Sequence, residues 1–388
     1  MKTDDVLAAL RAVPGSASLL DALGDRDDVW VVGGAVRDAL LDRTPKDVDL
    51  VVAGDANELA RELGDVRAVH DQFGTTTIDV DGATVNVATA RTERYPRPGA
   101  LPEVTPAALE DDLARRDFTV NAVAVDLGGG LHAVGGALDD LAAGHLRVLH
   151  ERSFVDDPTR LWRLARYAAR LGFEPDAETE RLAREAVGTG ALTTVTGPRI
   201  GAELLLAVAE PHPQRALEVA GALGLLPDGI APRGDVEAAA AELLPEDGDR
   251  GLLALAAAAT EAEAGRLRGW LDELGIPARE RDTVVAAAGA RELAEALARA
   301  KRPSEIVAVV GRQPVEAVAL AGALGAADPA RAWLEDLRAV KLEITGADLL
   351  AAGVPEGPEL GRRLQRAMAA RLDGEARGRE QELAVALA

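Results

Sequence analysis

The chain has 388 residues, 48% of them apolar, no cysteine and a formal charge of −22. That length exceeds one ordinary core and predicts two or three domains, while the missing cysteines exclude disulfides and thiolate metal sites. The charge argues against a broad grip on nucleic-acid phosphates; with no signal-like N-terminus and no bilayer-length apolar run, the sequence predicts a cytoplasmic protein without membrane contact. In chain order, residues 29–32 form a β-branched and aromatic run that predicts a strand, ending at Gly33-Gly34 and followed by a helix. Residues 48–52 predict a second strand. Residues 76–80 and 84–89 flank Asp81-Gly82, a strong hairpin signal. Residues 120–126 predict a strand that passes through Gly128-Gly129-Gly130 to a partner at 131–134. These pieces suggest a small mixed sheet with helices on it. Beyond residue 153, alanine, leucine, arginine and glutamate recur at helical spacing, broken by turn clusters such as 188–190, 211–213, 226–234 and 353–358. The second half therefore predicts an all-helical region.

The strongest local signal is Gly33-Gly34-Ala35-Val36-Arg37-Asp38, followed by Asp47-Val48-Asp49. Two glycines between a strand and a helix let a phosphate approach the backbone, and Arg37, one turn in, reaches toward the same anion. Asp47 and Asp49 stand two apart at a strand start, so their side chains share a face. Two carboxylates on one face repel unless a cation or proton separates them. Mg2+ suits them, being a hard cation that brings triphosphate with it.

Arg115-Arg116-Asp117-Phe118-Thr119-Val120-Asn121-Ala122 is the second constellation. Arg116 offers a bidentate fork for phosphate oxygens, and Asp117 and Asn121 either hold a ribose or brace the arginines. The third is Asp156-Asp157-Pro158-Thr159-Arg160, in which Asp156 suits a helix cap and Pro158 its first turn. Arg160, Arg163, Arg166 and Arg170 then follow on one helix face, with Leu161, Leu164, Ala168 and Leu171 largely opposite. Such a basic stripe on an acidic chain is a focused anion site. Asp157 and Arg160 form an acceptor–donor pair suited to the edge of a base. The five histidines (His70, His132, His145, His150, His212) show no metal-ligand spacing.

In this order and at these spacings the three motifs resemble those of class II tRNA nucleotidyltransferases, the CCA-adding enzymes, and their relatives the poly(A) polymerases. Arg91-Thr92-Glu93-Arg94-Tyr95, Gly135-Gly136-Ala137-Leu138-Asp139-Asp140-Leu141 and Ile344-Thr345-Gly346-Ala347-Asp348-Leu349 also resemble family positions. The resemblance implies an α+β fold: a polymerase-β-like nucleotidyltransferase head with a small mixed β-sheet over residues 1–150. A helical neck over 151–230 and a helical body and tail over 231–388 follow, the two RNA-binding parts. It implies that Asp47 and Asp49 bind Mg2+ and carry catalysis. By the same resemblance Gly34, Arg37 and Arg116 would hold the nucleotide's phosphates, with Gly33 also at the nucleotide site. Asp117 and Asn121 contribute to the nucleotide site, and Asp157 and Arg160 act as an amino-acid template for cytosine or adenine. Arg163 and Arg166 match further nucleotide-binding positions. The implied partners are tRNA, CTP and ATP.

Two departures stand out. Asn86 occupies a position where an acid is expected beside the aspartate pair, with Asp79 as a candidate substitute. No His-Asp pair of an appended phosphohydrolase is present. The motifs do not separate CCA addition from A-adding, CC-adding or poly(A) synthesis, and the oligomeric state is open. A catalytically silent RNA-binding protein of this fold is the alternative from another class. A dinucleotide-binding oxidoreductase fails, since the three-glycine fingerprint and its downstream acid are missing.

Overall fold

The computed structural model describes residues 3–70 and 74–388. They fall into two compact units, residues 1–200 with 223–225 and residues 201–222 with 226–388.

In the first unit α1 (Thr3–Arg11) and α2 (Ser16–Leu23) precede β1 (Val29–Val32). The chain continues through α3 (Gly34–Leu40), β2 (Asp49–Val52), α4 (Ala56–Leu63), β3 (Asp65–His70), β4 (Thr75–Val80) and β5 (Ala83–Thr89). Then come β6 (Arg91–Arg94), β7 (Glu103–Pro106), α5 (Leu109–Ala114), β8 (Val123–Asp126), β9 (Leu131–Ala133) and α6 (Ala137–Ala143). Seven strands make one mixed sheet in the order β3-β4-β5-β2-β1-β8-β9, with β2 and β5 its parallel pair. β6 and β7 form a separate antiparallel ribbon. The predicted hairpin turn is present: Asp81 and Gly82 both take positive φ, 51° and 82°, as a type I′ turn between twisted strands requires. Val32, Val51, Ala90, Leu109, Leu113, Ala122 and Ala124 pack into one apolar cluster. That cluster seats α5 on the sheet, which fixes the arginines at its C-terminal end.

The strand predicted from residue 120 begins later, at Val123. Residues 119–121 form a single 3₁₀ turn instead. Asp117 is the cause: its Oδ1 accepts from the Phe118 N–H at 2.8 Å and from Asn121 Nδ2 at 2.9 Å. These local bonds replace the sheet ladder.

The unit continues through β10 (His145–Leu146), α7 (Ser153–Asp156), α8 (Arg160–Leu171), β11 (Glu174–Pro175) and α9 (Ala177–Gly188). Leu161, Leu164, Ala168 and Leu171 are buried, as their spacing predicts. Asp156 does not cap α8. It closes α7 and pairs with Arg152 at 2.8 Å, while Asp157 Oδ1 accepts from the Thr159 N–H and hydroxyl.

The second unit is helical throughout. α10 (Gly197–Val208), α11 (Pro213–Leu223), α12 (Gly234–Ala241) and α13 (Arg250–Ala258) lead on to a last helix over Gly378–Leu387. Every residue from Gly251 to Ala258 is buried, because small side chains let backbones close in: a Cβ on Gly251 would come within 2.5 Å of the Val208 carbonyl oxygen. Glu382, fully buried, accepts from the Glu343 N–H at 2.7 Å and from Arg371 at 3.0 Å. Among the described residues no single helix is long and apolar enough to cross a membrane.

Candidate active site

β1 delivers the chain into Gly33, whose φ of 70° and ψ of −128° only glycine adopts without strain. A Cβ there would also lie 2.9 Å from Arg116 Nη1. The residue thus makes the turn and admits the arginine. Gly33→Ala is expected to lower stability by about 1–3 kcal/mol, read from denaturant midpoints; an unchanged midpoint would show that the turn relaxes at no cost.

Gly33 and Gly34 open onto a cleft of about 440 Å3, also lined by Asp49, Arg116, Asp117, Asn121, Asp157, Arg160 and Arg163. Residues from all three motifs, separate in sequence, meet here. Arg91, Glu93, Tyr95, Pro102, Arg115 and Tyr167 complete the wall. Five arginines therefore face four acids, a local cationic excess on an acidic chain.

The sheet register sets the acidic side. Asp49 begins β2 opposite Asn86 of β5, whose Nδ2 donates to Asp49 Oδ1 at 3.0 Å. Burial pushes the Asp49 carboxyl up; the Asn86 hydrogen bond opposes this, the charge of Asp47 adds to it and Arg116 offsets it. Asp47 is exposed and does not line the cleft, yet it lies close enough for its charge to act on Asp49. Among the described residues Asp49 is the one cleft acid with no ion pair. Asp79 is no substitute for the missing acid. It pairs in register with Thr84, accepts from the Gly82 N–H at 3.0 Å and forms an ion pair with Arg67, so it belongs to the hairpin turn. No group of three or more His, Asp or Glu among the described residues is placed to hold a metal. Two carboxylates nonetheless fit Mg2+, which takes one or two and completes its shell with water and phosphate oxygens.

Arg116 is positioned from behind. Its Nη2 donates to Asp112 at 2.9 Å, and Asp112 also accepts from Arg115 at 2.6 Å. Burial alone would raise the Asp112 carboxyl, but the two arginines hold it below the usual range. Arg115 continues to Glu93 at 2.6 Å, and Glu93 Oε2 accepts from the Tyr95 hydroxyl at 3.0 Å. Burial, with Glu93 beside it, pushes the Tyr95 phenol well up, so it remains a donor.

The arginine stripe of α8 divides. Arg160 is 4% exposed, donating from Nη1 to the Ser153 hydroxyl at 2.6 Å and from Nη2 to the Arg115 carbonyl at 2.8 Å. Arg163 donates to Asp117 Oδ2 from Nε at 2.9 Å and from Nη2 at 2.6 Å. Burial opposes the charge on Asp117, but Arg163, Asn121 and Arg160 hold its carboxyl far below the usual range. Asp117 and Asn121 thus brace arginines, one of the two roles their motif left open. Arg166 does not line the cleft; its guanidinium stacks 5.0 Å from the Tyr167 ring centre. Arg170 turns to Asp38 at 3.6 Å.

Arg37 also departs from its expected place. It is 1% exposed, bound to Asp38 at 2.7 Å and to Asn121 Oδ1 at 2.5 Å, and does not line the cleft. It packs beneath the site, 5.4 Å from the Tyr167 ring centre. Sequence reasoning gave no role to Glu93, Tyr95 or Tyr167. The signal was present for two of them: Glu93 and Tyr95 follow Arg91 at spacings of two, Glu93 within β6 and Tyr95 one residue beyond its end.

A glycine turn beside an aspartate-bearing strand of a mixed sheet, facing an arginine-lined cleft, defines a polymerase-β-like nucleotidyltransferase head. Residues 29–147 match the family described as the Poly A polymerase head domain. The chain is 36% identical to the CC-adding tRNA nucleotidyltransferase of Deinococcus radiodurans, over 92% of this chain and 88% of that one. It is 34% identical to the A-adding tRNA nucleotidyltransferase of Aquifex aeolicus over 87% of its length, but spans only 44% of that relative. A solved CCA-adding enzyme in complex with CTP superposes with a TM-score of 0.77 at 27% identity, covering 99% of this chain and 98% of that one. The chain belongs to the tRNA nucleotidyltransferase and poly(A) polymerase family.

Proposed function

We propose that this chain adds CMP or AMP, from CTP or ATP, to the 3′ end of tRNA without a nucleic-acid template, in CCA addition or repair. The observation that carries the reading is the meeting of Asp49, Arg116, Asp157 and Arg160 in one cleft. In this reading residues 1–150 catalyse, 151–230 select the nucleotide and bind RNA, and 231–388 bind tRNA. The 3′-hydroxyl oxygen bonds to the α-phosphorus, the bond to the bridging oxygen breaks, and pyrophosphate leaves. Asp49 or Asp47 helps take the hydroxyl proton. Mg2+ ions held by Asp47 and Asp49 would lower the hydroxyl's pKa and neutralise the leaving group. Arg116, braced by Asp112, holds the triphosphate against the glycine turn. Asp157 and Arg160 meet the base edge, where a wrong base leaves buried polar groups unpaired. RNA is recognised by shape and phosphates, since A-form grooves hide sequence.

Transcripts ending before CCA, after C and after CC, each incubated with CTP and with ATP, test this. Extension is expected; none from any transcript would reject the enzyme reading in favour of a silent RNA-binding protein. Extension by ATP alone, and only from the CC end, would make it A-adding. Extension by CTP alone would make it CC-adding. Arg160→Ala is expected to reduce discrimination between CTP and ATP by about ten-fold while changing triphosphate affinity less. Unchanged selectivity would remove Arg160 from base choice.

A further inference from the structure

The chain has two tyrosines, and both line the cleft. Tyr167 has its ring occupied. The guanidiniums of Arg37, Arg163 and Arg166 stand 5.4, 5.6 and 5.0 Å from its centre, and Phe118 meets it edge-on. Tyr95 is different. Half-buried just after β6, it has no cation or ring against its face among the described residues. Its hydroxyl is tied at 3.0 Å to Glu93, which Arg115 grips at 2.6 Å, and Arg115 is anchored in turn on Asp112 at 2.6 Å. The ring is therefore tethered at its far end by part-buried Glu93 and Arg115, anchored on fully buried Asp112, and is held at the cleft wall. Asp157 and Arg160 line the same cleft and lie near enough for their charges to act on the Tyr95 hydroxyl.

Hydrogen bonds from Asp157 and Arg160 would fix a base only within its own plane. A flat ligand also needs a surface for its face, and an aromatic ring supplies one for any base. We propose that Tyr95 is the stacking platform for the base of the incoming nucleoside triphosphate, a role that rests on the nucleotidyl-transfer reading above. Glu93 is its positioning residue. Because stacking is indifferent to the base edge, the platform contributes affinity for CTP and ATP alike and leaves the choice between them to Asp157 and Arg160.

Calorimetric titration of the full chain with CTP, ATP and inorganic tripolyphosphate tests the assignment. Tyr95→Leu is expected to weaken both nucleotides by about ten-fold and to leave tripolyphosphate binding unchanged. Tyr95→Phe keeps the ring and loses the tether to Glu93, so it is expected to weaken both nucleotides, but less than Tyr95→Leu does. Wild-type nucleotide affinity in Tyr95→Leu would overturn the platform, as would a phenylalanine variant as weak as the leucine one. Melting curves check that both variants fold; if only Tyr95→Phe does, a loss of nucleotide affinity in it of about ten-fold, the size expected for removing the ring, overturns the platform by itself. Wild-type protein that binds tripolyphosphate but neither nucleotide would overturn the nucleotidyl-transfer reading itself, and the platform with it.

Discussion

Asp49→Asn is expected to lower the rate of nucleotide addition by about 10³-fold or more, the loss of several kcal/mol of charge stabilisation at the reacting phosphate. The fold should not suffer. Asparagine matches the aspartate in shape, and its carbonyl can still accept the 3.0 Å hydrogen bond from Asn86. It also removes the charge from a half-buried carboxylate that desolvation and Asp47 both disfavour. The melting temperature should therefore hold or rise while activity is lost. Single-turnover extension with saturating CTP or ATP, alongside thermal melts, measures both. Turnover near the wild-type rate would take Asp49 out of the reaction. Asp47→Ala should lose activity too and require more Mg2+ for what remains. Because Asp47 is exposed and does not line the cleft, an unaffected Mg2+ dependence would leave Asp49 as the single carboxylate ligand.

Asp117→Ala should produce the largest loss of stability. Asp117 is 7% exposed, and its two oxygens collect Arg163, Asn121 and the Phe118 N–H. Asn121 passes the connection on to buried Arg37, and Arg37 to Asp38. Removing one partner of a buried ion pair costs about 3–5 kcal/mol, and the low end applies here because the remaining Arg163 side chain is 28% exposed and also reaches the Tyr167 hydroxyl. At roughly 2–4 °C per kcal/mol for a unit of this size, the first unit should melt roughly 10 °C lower. A variant melting with the wild type would show that Arg163 finds another partner. The pH dependence has a definite sign. The folded-state carboxyl lies below its unfolded value, so its stabilisation is complete above about pH 4, the ordinary aspartate pKa. It is lost as pH falls through the lower, folded-state value. Wild-type stability should thus decline in acid more steeply than that of Asp117→Ala.

Both expectations draw on a site that was only partly legible in the residues. The glycine turn, the aspartate pair and the arginine repeat announced themselves through short-range rules: a backbone conformation only glycine tolerates, a period of two along a strand, a period near 3.6 along a helix. Which arginine faces the cleft did not follow from those rules. Arg160 and Arg163 line it, Arg166 stacks on Tyr167 and Arg170 turns to Asp38, although all four share one helical repeat. Arg37 sits in a motif adjoining the cleft and is buried out of it. Its partner Asn121 lies 84 positions away.

The amino-acid sequence by itself determined the strand-forming runs, the helical second half, the Asp81-Gly82 hairpin and the three motifs, since each depends on residues within a few positions of one another. Tertiary structure alone decided the register that sets Asp49 against Asn86 at 3.0 Å, that Asp117 braces Arg163, and that Tyr95 and Tyr167 share a wall. The physical reason is that strand register and burial set those outcomes. A side chain stripped of water takes whichever partner the packing brings, and that partner can lie anywhere in the chain.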